Sequence, residues 1–227
     1  LILSVETAYN DLRSRILFGG LLPGARLVTQ QLALLLGLSR TPIKEALARL
    51  ESDGLVSRMG NWGYSVREIT LKDAEEIFEA RMVIEVACAQ ISALSAKETD
   101  INNMEKVLEK TRNVLVKGKQ DKFLIQSRDL HRQIAASTEN SMLLRMFDQV
   151  NSLVLLYASS IVQADPGRMK EILAENEVLV KAIRNHDENL AGRLIRSQVL
   201  KAREKYRSLI SGGRLNVNIK LRELEMG

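Results

Sequence analysis

A single cysteine, Cys88, stands in a chain of 227 residues, which excludes an internal disulfide and a cysteine metal cluster. Aromatic residues make up only 4% and there are three prolines, a scarcity that leaves helices as the dominant element. No apolar run reaches the roughly 18 residues that a bilayer span needs, and no secretory pattern opens the chain. A cytoplasmic protein with no membrane partner is therefore expected. Internal repeats and low-complexity tracts are missing too. What is present is a hydrophobic fraction of 45%, enough for one or two cores, and a formal net charge of +5, which leans weakly towards an acidic partner.

The stretch "LGLSRTPIKEALARLESDGLVSRMGNWGYSV", from Leu36 to Val66, is unusually dense in local signals. Upstream, Val5, Tyr9, Leu12 and Ile16 recur at spacings of three and four, predicting a helix over 4–18 that Gly19-Gly20 ends. Pro23-Gly24 reads as a turn. Thr29 is placed to cap a second helix, with Leu32, Ala33, Leu35 and Leu36 inward. Gly37-Leu38-Ser39 makes a tight turn, and Ser39 is placed to cap a third helix that sets Ile43, Ala46, Leu47 and Leu50 on one face before Gly54 stops it. Residues 55–58 and 64–67 read as short strands around a tip between Gly60 and Gly63. Helix, helix, turn, helix, hairpin is the order of a DNA-binding helix-turn-helix with a wing. Its third helix presents Arg40, Thr41 and Lys44 at the N-terminal end, where base edges and phosphates are met, and the glycines let the wing backbone approach DNA.

Beyond Thr70 the pattern changes to six long helices, over 71–93, 97–117, 120–138, 141–160, 167–185 and 187–211. The expected fold is mainly α: a winged helix-turn-helix domain over 1–69, an all-α six-helix bundle over 70–212, and a tail over 213–227. The tail alternates polar and apolar residues, as an added strand or a disordered end would, with the disordered end preferred. In the bundle, polar residues interrupt the inward stripes. Leu71, Ala74, Phe78, Arg81, Glu85 and Cys88 form one stripe; Phe123, Ser127, His131, Ile134 and Thr138 form another. Asn176 and Gln198 sit among apolar neighbours on two later helices. Each alone reads as a satisfied core group or an ion pair between helices. Together they favour a polar cavity inside the bundle, where such folds place ligands. An enzyme built on His131 is the rival reading, but no activated nucleophile, paired carboxylates or phosphate loop accompanies it.

"PGARLVTQQLALLLGLSRTPIKEALARLESDGLV" resembles the winged-helix domain of GntR-type bacterial transcription regulators. "EARMVIEVACAQISA", "DLHRQIAASTEN" and "AENEVLVKAIRNHDENLAGRL" resemble the FCD effector domain of their FadR subfamily. The resemblance implies a homodimer on double-stranded operator DNA, controlled by a small-molecule effector that is often a carboxylate, and acting as a repressor with no enzymatic cofactor. It implies DNA contacts at Gln30, Ser39, Arg40, Thr41, Lys44 and the wing tip, Gly60 and Asn61. Lys44 replaces the more usual arginine of relatives and lacks the bidentate fork, so it suits phosphate. The polar residues on the inward stripes, Arg81, Ser127, His131, Asn176 and Gln198, are the effector positions expected. Many FCD domains hold a divalent metal at positions matching Ser127, His131, Asn176 and Gln198; only His131 keeps a metal-binding side chain, so no metal is expected. A metal-sensing regulator is the alternative.

Overall fold

The computed structural model describes residues 2–60 and 63–212. They divide into two compact units, one ending at Thr70 and the next beginning at Leu71.

The first unit contains α1 (Ile2–Leu17), β1 (Arg26–Leu27), α2 (Thr29–Leu36), α3 (Arg40–Ser52), β2 (Val56–Arg58) and β3 (Tyr64–Val66). Leu12 and Leu17 of α1 and Ile43, Leu47 and Leu50 of α3 are fully buried, so α3 keeps its apolar face inward and frees the other. The turn before α3 follows from Gly37. Its φ of 63° is left-handed, and its N–H and that of Leu38 close back onto α2 carbonyls. At the far end Tyr9 donates to Asp53 Oδ2 at 2.5 Å, and Arg49 lies 4.0 Å over the Tyr9 ring while pairing with Glu6 at 2.6 Å. Burial and the Asp53 carboxylate push the Tyr9 phenol up to about 12, so it stays a donor.

Three local expectations are corrected. The strand pair is a three-stranded antiparallel sheet, ordered β1-β3-β2, with Arg26 opposite Ser65; a two-residue strand is too short to carry an alternation signal. Thr29 is the first residue inside α2, whose cap position is Val28, and makes no side-chain cap. Leu35 is half exposed, because α2 is short and packs through Leu32 and Ala33.

The second unit is the expected set of six helices: α4 (Leu71–Ser95), α5 (Glu98–Val116), α6 (Gln120–Ala136), α7 (Ser141–Ala164), α8 (Arg168–Arg184) and α9 (Glu188–Ser211). Helix α7 outruns its expected end by four residues, since Ile161 and Val162 still face the core. Starts are fixed chemically: the Asn140 side chain accepts from the N–H groups of Met142 and Leu143, and Asp187 from that of Leu190. Leu71 is a further correction, lying exposed at the first position of its stripe. Gly192 lets α9 lie close to α4, because a Cβ there would come within 3.0 Å of the Gln90 side chain. The tail over 213–227 lies outside the described residues. No described helix is long and apolar enough to cross a membrane.

Candidate functional site

Two surfaces carry the chemistry. In the first unit, Gln30, Ser39 and Arg40 line one shallow depression with Leu34, Gly37 and Leu38. Thr41 and Lys44 are exposed on the same end of α3. Ser39 occupies the cap position of α3 yet makes no cap hydrogen bond, so its hydroxyl stays available to a partner. The unpaired N–H groups of the first turn add a partial positive charge that suits phosphate. Gly60 is exposed, with a left-handed φ of 52°, at the wing tip, where Met59 N–H donates to Gly63. Asn61 lies outside the described residues.

In the second unit, a cavity of about 70 Å³ opens between α4, α6, α7, α8 and α9. Its wall includes Arg81, Ser127, His131 and Gln198, four of the five effector positions read from the sequence. Asn176, fully buried, does not reach the wall but ties two that do. Gln198 Nε2 donates to Asn176 Oδ1 at 3.1 Å, and Asn176 Nδ2 donates to Ser127 Oγ at 3.2 Å. Three interruptions on three helices thus form one hydrogen-bonded relay, as buried polar groups require.

The charged end of the cavity centres on Glu85. Arg81 donates from Nε to Glu85 Oε1 at 2.8 Å and from Nη1 to the Tyr157 hydroxyl at 2.6 Å. Arg128 reaches the same carboxylate at 2.8 Å through Nη2, and its Nε donates to Asn151 at 2.7 Å. His131 Nδ1 lies 3.1 Å from Glu85 Oε2. Burial alone pushes the Glu85 carboxyl up, but Arg128 and Arg81, with His131, overcome it and hold it well below its usual range. Burial lowers the His131 ring, as does Arg128, which favours its neutral form. Its Nδ1–H then faces the carboxylate and its Nε2 carries the lone pair. Burial likewise raises the Tyr157 phenol and keeps it protonated. Two full positive charges therefore share one negative charge, all within a few per cent of complete burial.

Arg128, Tyr157, Arg168 and Glu175 also line this cavity and were not singled out from the sequence. Arg128 falls between Ser127 and His131, off their stripe. The available signal was a second stripe of Leu124, Arg128 and Ala135, which is buried too and widens the inner face of α6. Arg168 is masked by its place in the first turn of α8, where it meets Glu171 at 2.8 Å and Glu175 at 2.9 Å.

The residues present do not fit a divalent metal. His131 is the one imidazole at the cavity and already faces Glu85, whose carboxylate is held by two guanidiniums; Ser127, Asn176 and Gln198 are neutral and bonded to one another. Among the described residues no cluster of three or more His, Cys, Asp or Glu side chains could hold a metal. Asp129 lies within reach of Gln133 on its own helix, not of His131, and the His186 ring contacts the Ala93 carbonyl at 2.8 Å.

Residues 76–200 match the FCD domain, and residues 4–66 match the gntR family of bacterial regulatory proteins. The uncharacterized HTH-type transcriptional regulator YdhC of Bacillus subtilis is 29% identical, over 81% of this chain and 82% of its own. The HTH-type transcriptional regulator McbR of Escherichia coli is 28% identical, over 82% and 84%. The gluconate operon transcriptional repressor of Bacillus licheniformis is 29% identical, over 79% and 75%. Among solved structures, that of E. coli McbR superposes with a TM-score of 0.75 at 24% identity, covering 89% of this chain and 98% of the other, a likeness of fold.

Proposed function

The chain belongs to the FCD-domain regulators of the bacterial gntR family, and from that premise we propose that a small anion, a carboxylate metabolite, binds beside Arg81 and Arg128 and sets the affinity for operator DNA. The protein is a DNA-binding transcription regulator and not an enzyme; the metal-sensing alternative is not supported. One observation carries the anion reading: the buried Glu85 carboxylate is shared by two guanidiniums, which leaves one positive charge over at the cavity wall. A buried surplus charge is costly without a partner, and an organic acid supplies one.

In this reading residues 1–69 bind DNA through Gln30, Ser39, Arg40, Thr41, Lys44 and the wing tip at Gly60 and Asn61. Residues 70–212 bind the effector through Arg81, Ser127, His131, Asn176 and Gln198, now with Arg128, and join two copies into a homodimer that represses in the cytoplasm. Arg81 and Arg128 each serve both as a partner of Glu85 and as a cavity-wall cation, so Arg128→Met removes the surplus charge while Glu85 keeps Arg81. The test is operator binding by fluorescence anisotropy with and without short organic acids. An acid that changes operator affinity in the parent protein and fails to do so in folded Arg128→Met supports the reading. An unchanged response in that variant refutes it.

A further inference from the structure

We infer that the effector is a monoanion carrying a neutral hydrogen-bonding group on its skeleton, neither a dicarboxylate nor a plain alkyl acid. This rests on the anion reading above and adds the rest of the molecule. The charge count limits the effector to one negative group. Arg81 and Arg128 leave one positive charge after Glu85 is subtracted. Arg168, the other guanidinium at the wall, adds none: Glu171 and Glu175 match it and Lys201, which reaches Glu175 at 2.8 Å. A second carboxylate would enter a buried site holding no second surplus cation among the described residues, and its desolvation would go unrepaid.

The neutral group follows from the relay. Gln198 gives an N–H to Asn176, and Asn176 gives one to Ser127. Asn176 is thereby satisfied on both atoms, while the two ends at the cavity wall are not. Ser127, having accepted, keeps its own O–H to give; Gln198, having donated, keeps Oε1 to receive. His131 Nε2 adds a lone pair and Tyr157 a hydroxyl proton. Apolar side chains, Leu124, Val154, Ile161 and Ile172 among them, complete the wall, so these few atoms select what lies among them. A ligand hydroxyl or amide can both give and receive here. A methyl would leave the relay ends unpaired, and sites built to hydrogen-bond reject such analogues strongly. The cavity of about 70 Å³ favours a skeleton of a few carbons.

Four probes on one four-carbon skeleton separate the possibilities: butyrate, 3-hydroxybutyrate, succinamate and succinate, titrated by calorimetry into the full chain. At least one of 3-hydroxybutyrate and succinamate is expected to bind about tenfold or more tightly than butyrate, and succinate more weakly than succinamate. In Ser127→Ala and Gln198→Met, checked for folding by circular dichroism, that preference over butyrate should shrink. Equal binding of butyrate and both neutral-polar acids, or a preference for succinate lost in Arg128→Met, overturns the inference and leaves the anion reading standing. Absence of binding by all four, or binding indifferent to Arg128→Met, overturns both.

Discussion

At the scale of single residues, the DNA face proposed for the first unit offers cations of two kinds. Arg40 carries a planar fork suited to guanine, so Arg40→Ala should cost about 1–3 kcal/mol on the preferred operator and relax discrimination at one base pair. Lys44 is a compact charge, so Lys44→Ala should weaken all sequences alike and reduce the slope of log affinity against log salt by about one. Competition titrations on specific and scrambled duplexes measure both, and equal loss of specificity in the two variants contradicts the division. The buried cluster makes a separate prediction for pH. In the unfolded chain Glu85 takes up its proton near pH 4.3 and His131 near pH 6.5. Both are lowered in the fold: Glu85 by its arginines against burial, His131 by burial and Arg128. Below those values the unfolded chain binds more protons than the folded one, so stability falls with acid in two stages, from about pH 6.5 for His131 and from about pH 4.3 for Glu85. Urea midpoints across pH should lose the upper stage in His131→Gln and show a smaller lower stage in Glu85→Gln, where Glu75, Asp165 and Glu175, lowered by their own cationic partners, still contribute.

At the scale of elements, periodicity did most of the work, and its failures have physical causes. The six long helices were legible because each repeats its apolar spacing over many turns, so an error of a few residues at an end changes little. The strand Arg26–Leu27 was not, because it exists through pairing with β3 and not through any pattern of its own. In and behind the cavity wall, Ser127, His131, Asn176 and Gln198 stood out as polar residues on single apolar stripes. Arg128 did not, because α6 buries a face wider than one stripe. The pairing of Arg81 with Glu85 was legible from their i, i+4 spacing; that Arg128 shares the same carboxylate depends on α6 packing against α4. Two glycines test the element joints. Gly37 has open space around a Cβ but a left-handed backbone, so Gly37→Ala should lower stability by about 1–2 kcal/mol while Gly37→Asn costs less. At Gly192 the backbone is helical and the obstacle is the Gln90 side chain of α4, so Gly192→Val should destabilise and Gln90→Ala should relieve it in the double variant. Thermal unfolding of the four single variants and the Gly192→Val/Gln90→Ala pair checks both.

At the scale of the whole molecule, a helix-turn-helix regulator of this kind is expected to act as a two-fold pair on an imperfect palindrome, its half-sites about one helical turn of DNA, roughly 34 Å, apart. Sedimentation of the protein–duplex complex together with footprinting should give two copies per site; a monomer on one asymmetric half-site contradicts it. The burial of the charge cluster has a consequence for how such a protein behaves in brine. Salt screens exposed charges over about 8–10 Å near physiological strength and releases the advantage that Arg40 and Lys44 hold over bulk counterions. Arg81, Glu85 and Arg128 lie within a few per cent of full burial, where the diffuse ionic atmosphere screens far less than at the exposed DNA face. Rising ionic strength should therefore strip the protein from its operator long before it empties the cavity, so one protein would have a salty regime in which it still senses its metabolite and no longer holds DNA.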